Sequence, residues 1–128
     1  MDSWKLNFDG SCSKTLGSGA GVILEGPTGR RETYHQFLGK GLTCNQSEYA
    51  ALITGMEIAR KKNITRITAL GDSKLICEQV SGNWEVKSTN LIPYFEAVNN
   101  LKAGFEFFEI VHIPREENHS ADLAARIS

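Results

Sequence analysis

Four acidic residues occupy positions at which carboxylates can meet in a folded α/β protein. Asp9 ends an apolar predicted strand, and Glu48 lies just inside a predicted helix. Asp72 ends a second apolar strand, and Asp122 lies near the start of the last predicted helix. Strand ends and helix starts of this kind can converge at one edge of a sheet. Because like charges that converge need a cation, and because carboxylate oxygens suit Mg²⁺ or Mn²⁺, these positions predict metal-dependent chemistry on a phosphate group.

The periodicity of the apolar residues predicts the elements that must position these acids. Alternating and β-branched residues predict strands at residues 3–10, 19–24, 32–38, 64–70 and 105–113. Apolar residues at spacings of three and four predict helices at residues 46–62, about 73–81, 90–102 and 118–127. The short connection from the first helix into the fourth strand favours a crossover that leaves this strand parallel to the first. The order βββαβααβα predicts a single α/β domain over residues 1–128, a mixed five-stranded sheet with helices on both faces.

The composition restricts the class of protein. A chain of 128 residues with an ordinary hydrophobic content suits one compact domain. No apolar run is long enough to span a bilayer, and residues 1–5 do not resemble a secretion signal, so we expect an intracellular protein with no membrane partner. Cys12, Cys44 and Cys77 form no Cys-x-x-Cys motif and predict no disulfide framework, which agrees with a reducing compartment.

The formal net charge of −1 at first argues against a nucleic-acid partner. If the four acids lie beneath metal ions, eleven of the fifteen acids remain to face fourteen Lys and Arg. The remaining surface would then carry a charge of about +3, a mild electropositive bias.

Four motifs carry a resemblance to a known family. They are Phe8-Asp9-Gly10-Ser11, residues 45–52 around Glu48, Gly71-Asp72-Ser73, and residues 113–124 with the sequence IPREENHSADLA. In order and spacing they resemble the type 1 ribonuclease H family over nearly the whole chain. The last motif is most similar to the compact branch found in plants, archaea and some retroelements. The resemblance implies a ribonuclease H-like fold and cleavage of the RNA strand in RNA–DNA hybrids.

The resemblance also implies two divalent metal ions, Mg²⁺ or Mn²⁺, about 4 Å apart at the scissile phosphate. One ion would activate the attacking water, and the other would stabilise the leaving oxygen. By resemblance, Asp9 bridges both ions, Glu48 and Asp72 bind on the nucleophile side, and Asp122 helps to hold the second ion. Glu48 would also sense a ribose 2′-hydroxyl, which distinguishes RNA from DNA.

The same resemblance implies substrate contacts around the acids. The backbone after Asp9 would face the RNA strand, and Cys12, Thr15 and Thr43 would line a pocket for a DNA phosphate. Trp84 would lie against a DNA sugar, with polar neighbours bonding phosphates. The full set of expected substrate-binding residues is Gly10, Ser11, Cys12, Thr15, Thr43, Asn45, Gln46, Ser73, Trp84, Lys87, Ser88, Asn90 and Asn118.

Two departures from the family pattern affect the expected activity. Many bacterial members carry a basic protrusion after the second helix, and residues 82–90 are too few for it, so we expect weaker hybrid binding. Other members use a mobile-loop His that assists proton transfer, and His112 stands at the matching distance from the last acid. In the compact branch an Arg can take part, and Arg115 is the residue that matches. His112 and Arg115 therefore stay alternatives for this role.

Single residues also have simpler interpretations. Asp72 or Ser73 can cap the second helix, and Glu48 can stabilise the first turn of its own helix. Because four such coincidences match one family, we favour a hybrid ribonuclease that acts as a monomer without an inferable protein partner. The alternatives are a catalytically weak nucleic-acid-binding module and a related nuclease that acts on another duplex.

Overall fold

A computed structural model, which describes residues 3–127, shows a mixed sheet with helices packed on it. In this part of the chain the strands are β1 (Trp4–Ser11), β2 (Ser18–Glu25), β3 (Arg31–Gly39), β4 (Arg66–Gly71) and β5 (Phe107–His112). The α-helices are α1 (Cys44–Lys61), α2 (Lys74–Ser81), α3 (Ile92–Lys102) and α4 (His119–Arg126), with a 3₁₀ turn at Arg115–Asn118 before α4. The predicted order βββαβααβα is confirmed.

The sheet has the strand order β3-β2-β1-β4-β5. The first three strands form an antiparallel meander, whereas β4 is parallel to β1 and β5 is parallel to β4. The predicted parallel crossover through α1 is therefore confirmed. Because β1, β4 and β5 run in one direction, their carboxyl ends lie at the same edge of the sheet, where α/β proteins bind ligands.

Helices cover the two faces of the sheet differently. Leu6 and Phe8 of β1 are fully buried in the core that α1 closes with Leu52 and Met56. The alternate side chains of β1 face α4, and Ser11 Oγ donates a hydrogen bond of 3.0 Å to the backbone of α4.

Within residues 3–127, no helix is both long enough and apolar enough to cross a membrane.

Side-chain caps set the starts of the two helices that lead into the site. Thr43 Oγ1 accepts from the backbone N–H of Gln46 at 3.1 Å, and Gln46 Oε1 accepts from the N–H of Thr43 at 2.8 Å. This reciprocal pair is a capping box at the start of α1. Ser73 caps α2 by accepting from the N–H of Ile76. Of the two predicted caps, Ser73 therefore has this role, which leaves the Asp72 carboxylate for the site.

Several element boundaries differ from the predictions, and two of them adjoin the site. β1 extends to Ser11, one residue beyond the predicted strand, because Gly10 and Ser11 continue the antiparallel pairing with β2 after the parallel pairing with β4 has stopped. α1 begins at Cys44, two residues before the predicted start, because the cap is Thr43. The 3₁₀ turn at Arg115–Asn118 was not predicted, since four residues are too few to show a period.

Cys12 and Cys44 form a disulfide, so the prediction of no disulfide was wrong. Their Cα atoms lie 5.2 Å apart, although 32 positions separate them along the chain. The pair arises because the end of β1 lies against the start of α1, a proximity that the spacing of the cysteines does not encode. Cys77 is a free, buried cysteine, as expected for a packing residue.

Candidate active site

Three of the four predicted acids converge at the edge of the sheet. Asp9 comes from β1, Glu48 from the second turn of α1, and Asp72 from the residue after β4. Each offers one carboxylate oxygen, and these three atoms all lie within 4.8 Å of one another. Such a group of hard oxygen donors has the chemistry of a divalent-cation site.

Close backbone packing brings Glu48 to Asp9. A Cβ atom at Gly10 would lie only 2.3 Å from the carbonyl carbon of Ser47, so the backbones of β1 and α1 touch at this point. The Asp9 side chain is buried, and its Oδ1 accepts from the N–H of Gly10 at 3.0 Å. Gly10 was expected at the substrate, and its position shows that it also sets the distance between two acids.

The site is poorly solvated for carboxylates. Burial raises the pKa of Asp9 to about 6; a hydrogen bond with Glu48 opposes this shift, and the charges of Asp72 and Asp122 add to it. Burial, and then the hydrogen bond and charge of Asp9, raise the pKa of Glu48 to about 10. Without a cation, Glu48 therefore keeps its proton at neutral pH, whereas Asp9 is mostly ionised.

A cation would satisfy an atom that the protein leaves unpaired. Glu48 Oε2 is buried and has no hydrogen-bond partner among residues 3–127. A buried oxygen without a partner destabilises the fold unless a ligand fills its place. The three oxygen donors of Asp9, Glu48 and Asp72, together with this unpaired oxygen, fit a divalent cation.

Asp122 stands next to this group and also contacts an arginine. It lies in the first turn of α4, and Arg126 Nε is 3.1 Å from Asp122 Oδ1, one helical turn away. Burial alone would raise the pKa of Asp122, but hydrogen bonds from Arg126 and Asp9, and the charge of Arg115, hold this pKa below its ordinary value. Sequence reasoning missed Arg126, although an Asp and an Arg four residues apart on a helix were a usable signal.

Asn118 is a buried residue that holds the Asp72 carboxylate by a hydrogen bond. Its side chain is 1% exposed, and its Nδ2 donates to Asp72 Oδ2 at 3.0 Å and to the carbonyl of Phe8 at 2.9 Å. Its Oδ1 accepts from Asn7 Nδ2 at 3.1 Å. Asn118 was expected to contact substrate, but it is buried and orients the Asp72 carboxylate instead.

A cleft of about 590 Å³ opens above the carboxylates. Its wall includes Ser11 and the Cys12–Cys44 pair, together with Arg115 and Arg126. His112, the alternative to Arg115, is exposed at the end of β5, where its Nε2 lies 3.2 Å from the backbone oxygen of Asp72. The structure therefore brings Arg115 to the cleft and holds His112 against the backbone beside it.

A second cleft of about 330 Å³ brings together five of the other expected substrate contacts. Its walls come from the start of α1 and from residues 85–91, and the expected residues on them are Thr43, Asn45, Lys87, Ser88 and Asn90. Gln46 joins the two walls through a hydrogen bond of 3.4 Å from its Nε2 to the carbonyl of Asn90. Trp84 is 42% exposed, and Lys74 Nζ lies 5.9 Å from the centre of its ring.

Thr15 and Ser73 are two further expected contacts that line neither cleft. Thr15 is exposed in the turn between β1 and β2 and shares a hydrogen bond with Ser13, but it does not line either of the two clefts described above. Ser73 is occupied as the cap of α2.

Comparison with known proteins agrees with this geometry. The chain matches the family described as reverse transcriptase-like over residues 7–128. It is 32% identical to ribonuclease HI of Halobacterium salinarum over 120 residues, which cover 92% of this chain and 60% of that protein. It is 37% identical to a bifunctional protein of Mycobacterium tuberculosis over 83 residues, or 65% of this chain and 23% of that protein. The chain thus spans only part of the length of these relatives.

Solved structures show the same likeness. Ribonuclease H1 of Halobacterium salinarum superposes with a TM-score of 0.90 at 30% identity, over 97% of this chain and 95% of that chain. LC11-RNase H1, solved in complex with an RNA/DNA hybrid, superposes with a TM-score of 0.89 at 26% identity, over 98% of this chain and 95% of that chain. With its sheet order, its acidic cluster and the family match over residues 7–128, this chain belongs to the type 1 ribonuclease H family.

Proposed function

We propose that this domain is a metal-dependent endoribonuclease that hydrolyses the RNA strand of RNA–DNA hybrids. The observation that carries the proposal is the convergence of Asp9, Glu48 and Asp72 at the carboxyl edge of a ribonuclease H fold. LC11-RNase H1, which shares this fold, binds an RNA/DNA hybrid in its solved structure, and this supports the hybrid as substrate here.

Asp9, Glu48, Asp72 and Asp122 would hold the divalent ions, Mg²⁺ or Mn²⁺. When bound, two such ions supply an activated water and stabilise the oxygen that leaves the phosphate. The protein's own part is to hold these carboxylates in place and to exclude water from them. Burial of Asp9 and the hydrogen bond from Asn118 to Asp72 serve this purpose, because both carboxylates are already oriented before the substrate binds.

Arg115 is the residue that we propose for contact with the scissile phosphate. It lines the cleft of the carboxylates, whereas His112 is turned toward the backbone of Asp72. Because a guanidinium stays charged at all relevant pH values, Arg115 would stabilise negative charge on the phosphate rather than transfer a proton.

The second cleft is suited to the strand that is not cleaved. Thr43, Asn45, Lys87, Ser88 and Asn90 present hydroxyl, amide and ammonium groups, which bind phosphate and sugar oxygens. The exposed ring of Trp84 provides a flat surface for a sugar or base. We therefore propose recognition of the shape and backbone of the hybrid by a monomer, without base readout. Since hybrids form where DNA is copied or transcribed, the protein would act inside the cell.

Cleavage of an end-labelled hybrid tests the proposal. We expect cuts in the RNA strand with Mg²⁺ or Mn²⁺ and none in the presence of a chelator. Asp9→Asn and Asp72→Asn should each lower the rate at least 100-fold, because each removes a metal ligand with little change in volume. Glu96→Gln, which changes an exposed acid on α3, serves as the matched control and should keep the normal rate.

Competition among duplexes separates the alternatives. Hybrid binding without metal-dependent cleavage would favour a catalytically weak binding module. Faster cleavage of an RNA or DNA duplex than of the hybrid would favour a related nuclease with another substrate. Either result, obtained with folded protein, would contradict the proposal.

A further inference from the structure

The Cys12–Cys44 disulfide joins the two segments that carry clustered acids. Cys12 lies three residues after Asp9 at the end of β1, and Cys44 lies four residues before Glu48 at the start of α1. Both cysteines are exposed, and both line the cleft above the carboxylates. A solvent-accessible disulfide at the entrance of the cleft can be reached by small thiols.

The two sulfur atoms differ in chemical setting. Cys44 is the first residue of α1, a helix that extends to Lys61. The positive end of the helix dipole stabilises a thiolate at this position. Cys12 lies outside a helix, in the turn after β1. Because the helix start stabilises the departing thiolate, Cys44 is the better leaving group in thiol–disulfide exchange.

We propose that Cys12–Cys44 is a redox-reactive disulfide, opened by small monothiols of the glutathione class, whose state determines how tightly the cleft holds a hybrid. A small thiolate attacks Cys12 Sγ, the bond between the two cysteines breaks, and Cys44 leaves as a thiolate. A second small thiolate attacks the small-thiol sulfur of the mixed disulfide and releases Cys12. The two small thiols become one small disulfide, and their two electrons reduce the protein disulfide. Each protein thiolate takes up a proton as the pH requires. The effect on hybrid binding rests on the proposed function.

Opening the disulfide should leave the carboxylates in place. The backbone contact between Gly10 and Ser47 joins β1 to α1 independently of the cysteines. The segment that gains freedom is the turn at residues 12–17, in which Lys14, Thr15 and Leu16 are exposed. We therefore expect reduction to change substrate affinity and to preserve the chemical step.

The expected direction follows from the freedom of the turn. The disulfide holds the turn at residues 12–17 against the start of α1, and substrate binding costs less entropy when this wall is already fixed. Reduction should therefore raise KM for the hybrid about 3- to 10-fold, while kcat changes less than twofold.

Thiol counting tests the redox reaction without reference to nuclease activity. Protein equilibrated in mixtures of reduced and oxidised glutathione is quenched, unfolded and labelled with a maleimide-linked polymer. We expect one labelled cysteine, Cys77, under oxidising conditions and three under reducing conditions, with a transition between these limits. Three labelled cysteines in every mixture, or one in every mixture, would overturn the proposal even if the protein cleaves hybrids.

Kinetics test the functional consequence. We expect the 3- to 10-fold change in KM in the wild type and in Cys77→Ser, which retains the disulfide. The Cys12→Ser/Cys44→Ser variant should have the KM of the reduced protein under both conditions. An equal response in this double variant, or no response in the wild type, would contradict the role in substrate binding. If no cleavage occurs at all, hybrid affinity measured by fluorescence anisotropy gives the same comparison, so that failure of the proposed function remains distinguishable.

Discussion

Asn118 Nδ2 donates a 3.0 Å hydrogen bond to Asp72 Oδ2, and the same amide nitrogen bonds the carbonyl of Phe8. Asn118 lies at the end of the 3₁₀ turn, directly before α4. One buried side chain thereby connects the acid after β4, the backbone of β1 and the helix that carries Asp122. The orientation of Asp72 is consequently coupled to the placement of α4.

Replacing Asn118 by Leu should impair both catalysis and stability. We expect kcat to fall about 10- to 100-fold, because loss of a group that orients a metal ligand has effects of this size. The free energy of unfolding should fall by about 2 kcal/mol, since buried partners lose their hydrogen bonds. Steady-state kinetics and urea unfolding measure the two effects. Asn99→Leu on the exposed surface of α3 is the control, and a near-normal kcat in folded Asn118→Leu would exclude the orienting role.

Arg126 should weaken cation binding by neutralising Asp122. Its guanidinium lies 3.1 Å from the carboxylate, so Arg126→Gln makes the acidic cluster more negative by one charge. We expect Mn²⁺ to bind this variant about 3- to 10-fold more tightly, as a charge change close to the site in a partly solvated setting would produce. Isothermal titration of hybrid-free protein measures the affinity. Lys61→Gln, at the far end of α1, carries the same charge change and should have no such effect.

The stability of the metal-free protein should fall as the pH rises. Burial raises the pKa of Asp9 from 3.8 to about 6 and that of Glu48 from 4.5 to about 10. Above the ordinary values, the folded protein therefore holds protons that the unfolded chain has released. The stability from this source is complete below about pH 4 and is lost as the pH rises through 6 toward 10. Between pH 5 and 8 we expect a loss on the order of 5 kcal/mol in urea unfolding, most of it from Glu48.

Two comparisons assign this pH dependence to the site. Glu48→Gln is neutral at every pH, so its free energy of unfolding should vary less between pH 5 and 8 than that of the wild type. Mn²⁺ or Mg²⁺ should restore stability at pH 8, because the cation binds the folded carboxylates and not the unfolded chain. A metal-free wild type that gains stability over this range, relative to Glu48→Gln, would refute the explanation.

Gly21→Ala should displace the helix that carries Asp122. A Cβ at this position would lie 2.1 Å from the carbonyl oxygen of Ala121 and 2.4 Å from the backbone nitrogen of Ala125. Because both atoms belong to the backbone of α4, the helix itself must move. We expect the free energy of unfolding to fall by about 1–3 kcal/mol, as for other overpacked interiors, and kcat to fall with it. Asp122→Asn, which leaves the helix in place, should lower kcat alone.

The amino-acid pattern was most informative where the structure depends on neighbours along the chain. The meander and the crossover through α1 were predicted because strand and helix periods repeat within a few residues, and these elements place acids on β1, on α1 and directly after β4. Ser73 shows the limit of such reasoning, since the sequence allowed either this residue or Asp72 as the cap of α2. Only the hydrogen bond that the Ile76 N–H donates to Ser73 Oγ decided between them.

By itself, the sequence determined the order of the elements, the family and the four acids, because periodicity and motif spacing are properties of short segments. Only the tertiary structure decided that Cys12 pairs with Cys44, that Asn118 is buried beneath Asp72, and that Arg126 shares the cleft. The cysteines are 32 positions apart, and Asn118 contacts a residue 110 positions away. Such contacts depend on how the strands and helices pack, and no local pattern records that packing.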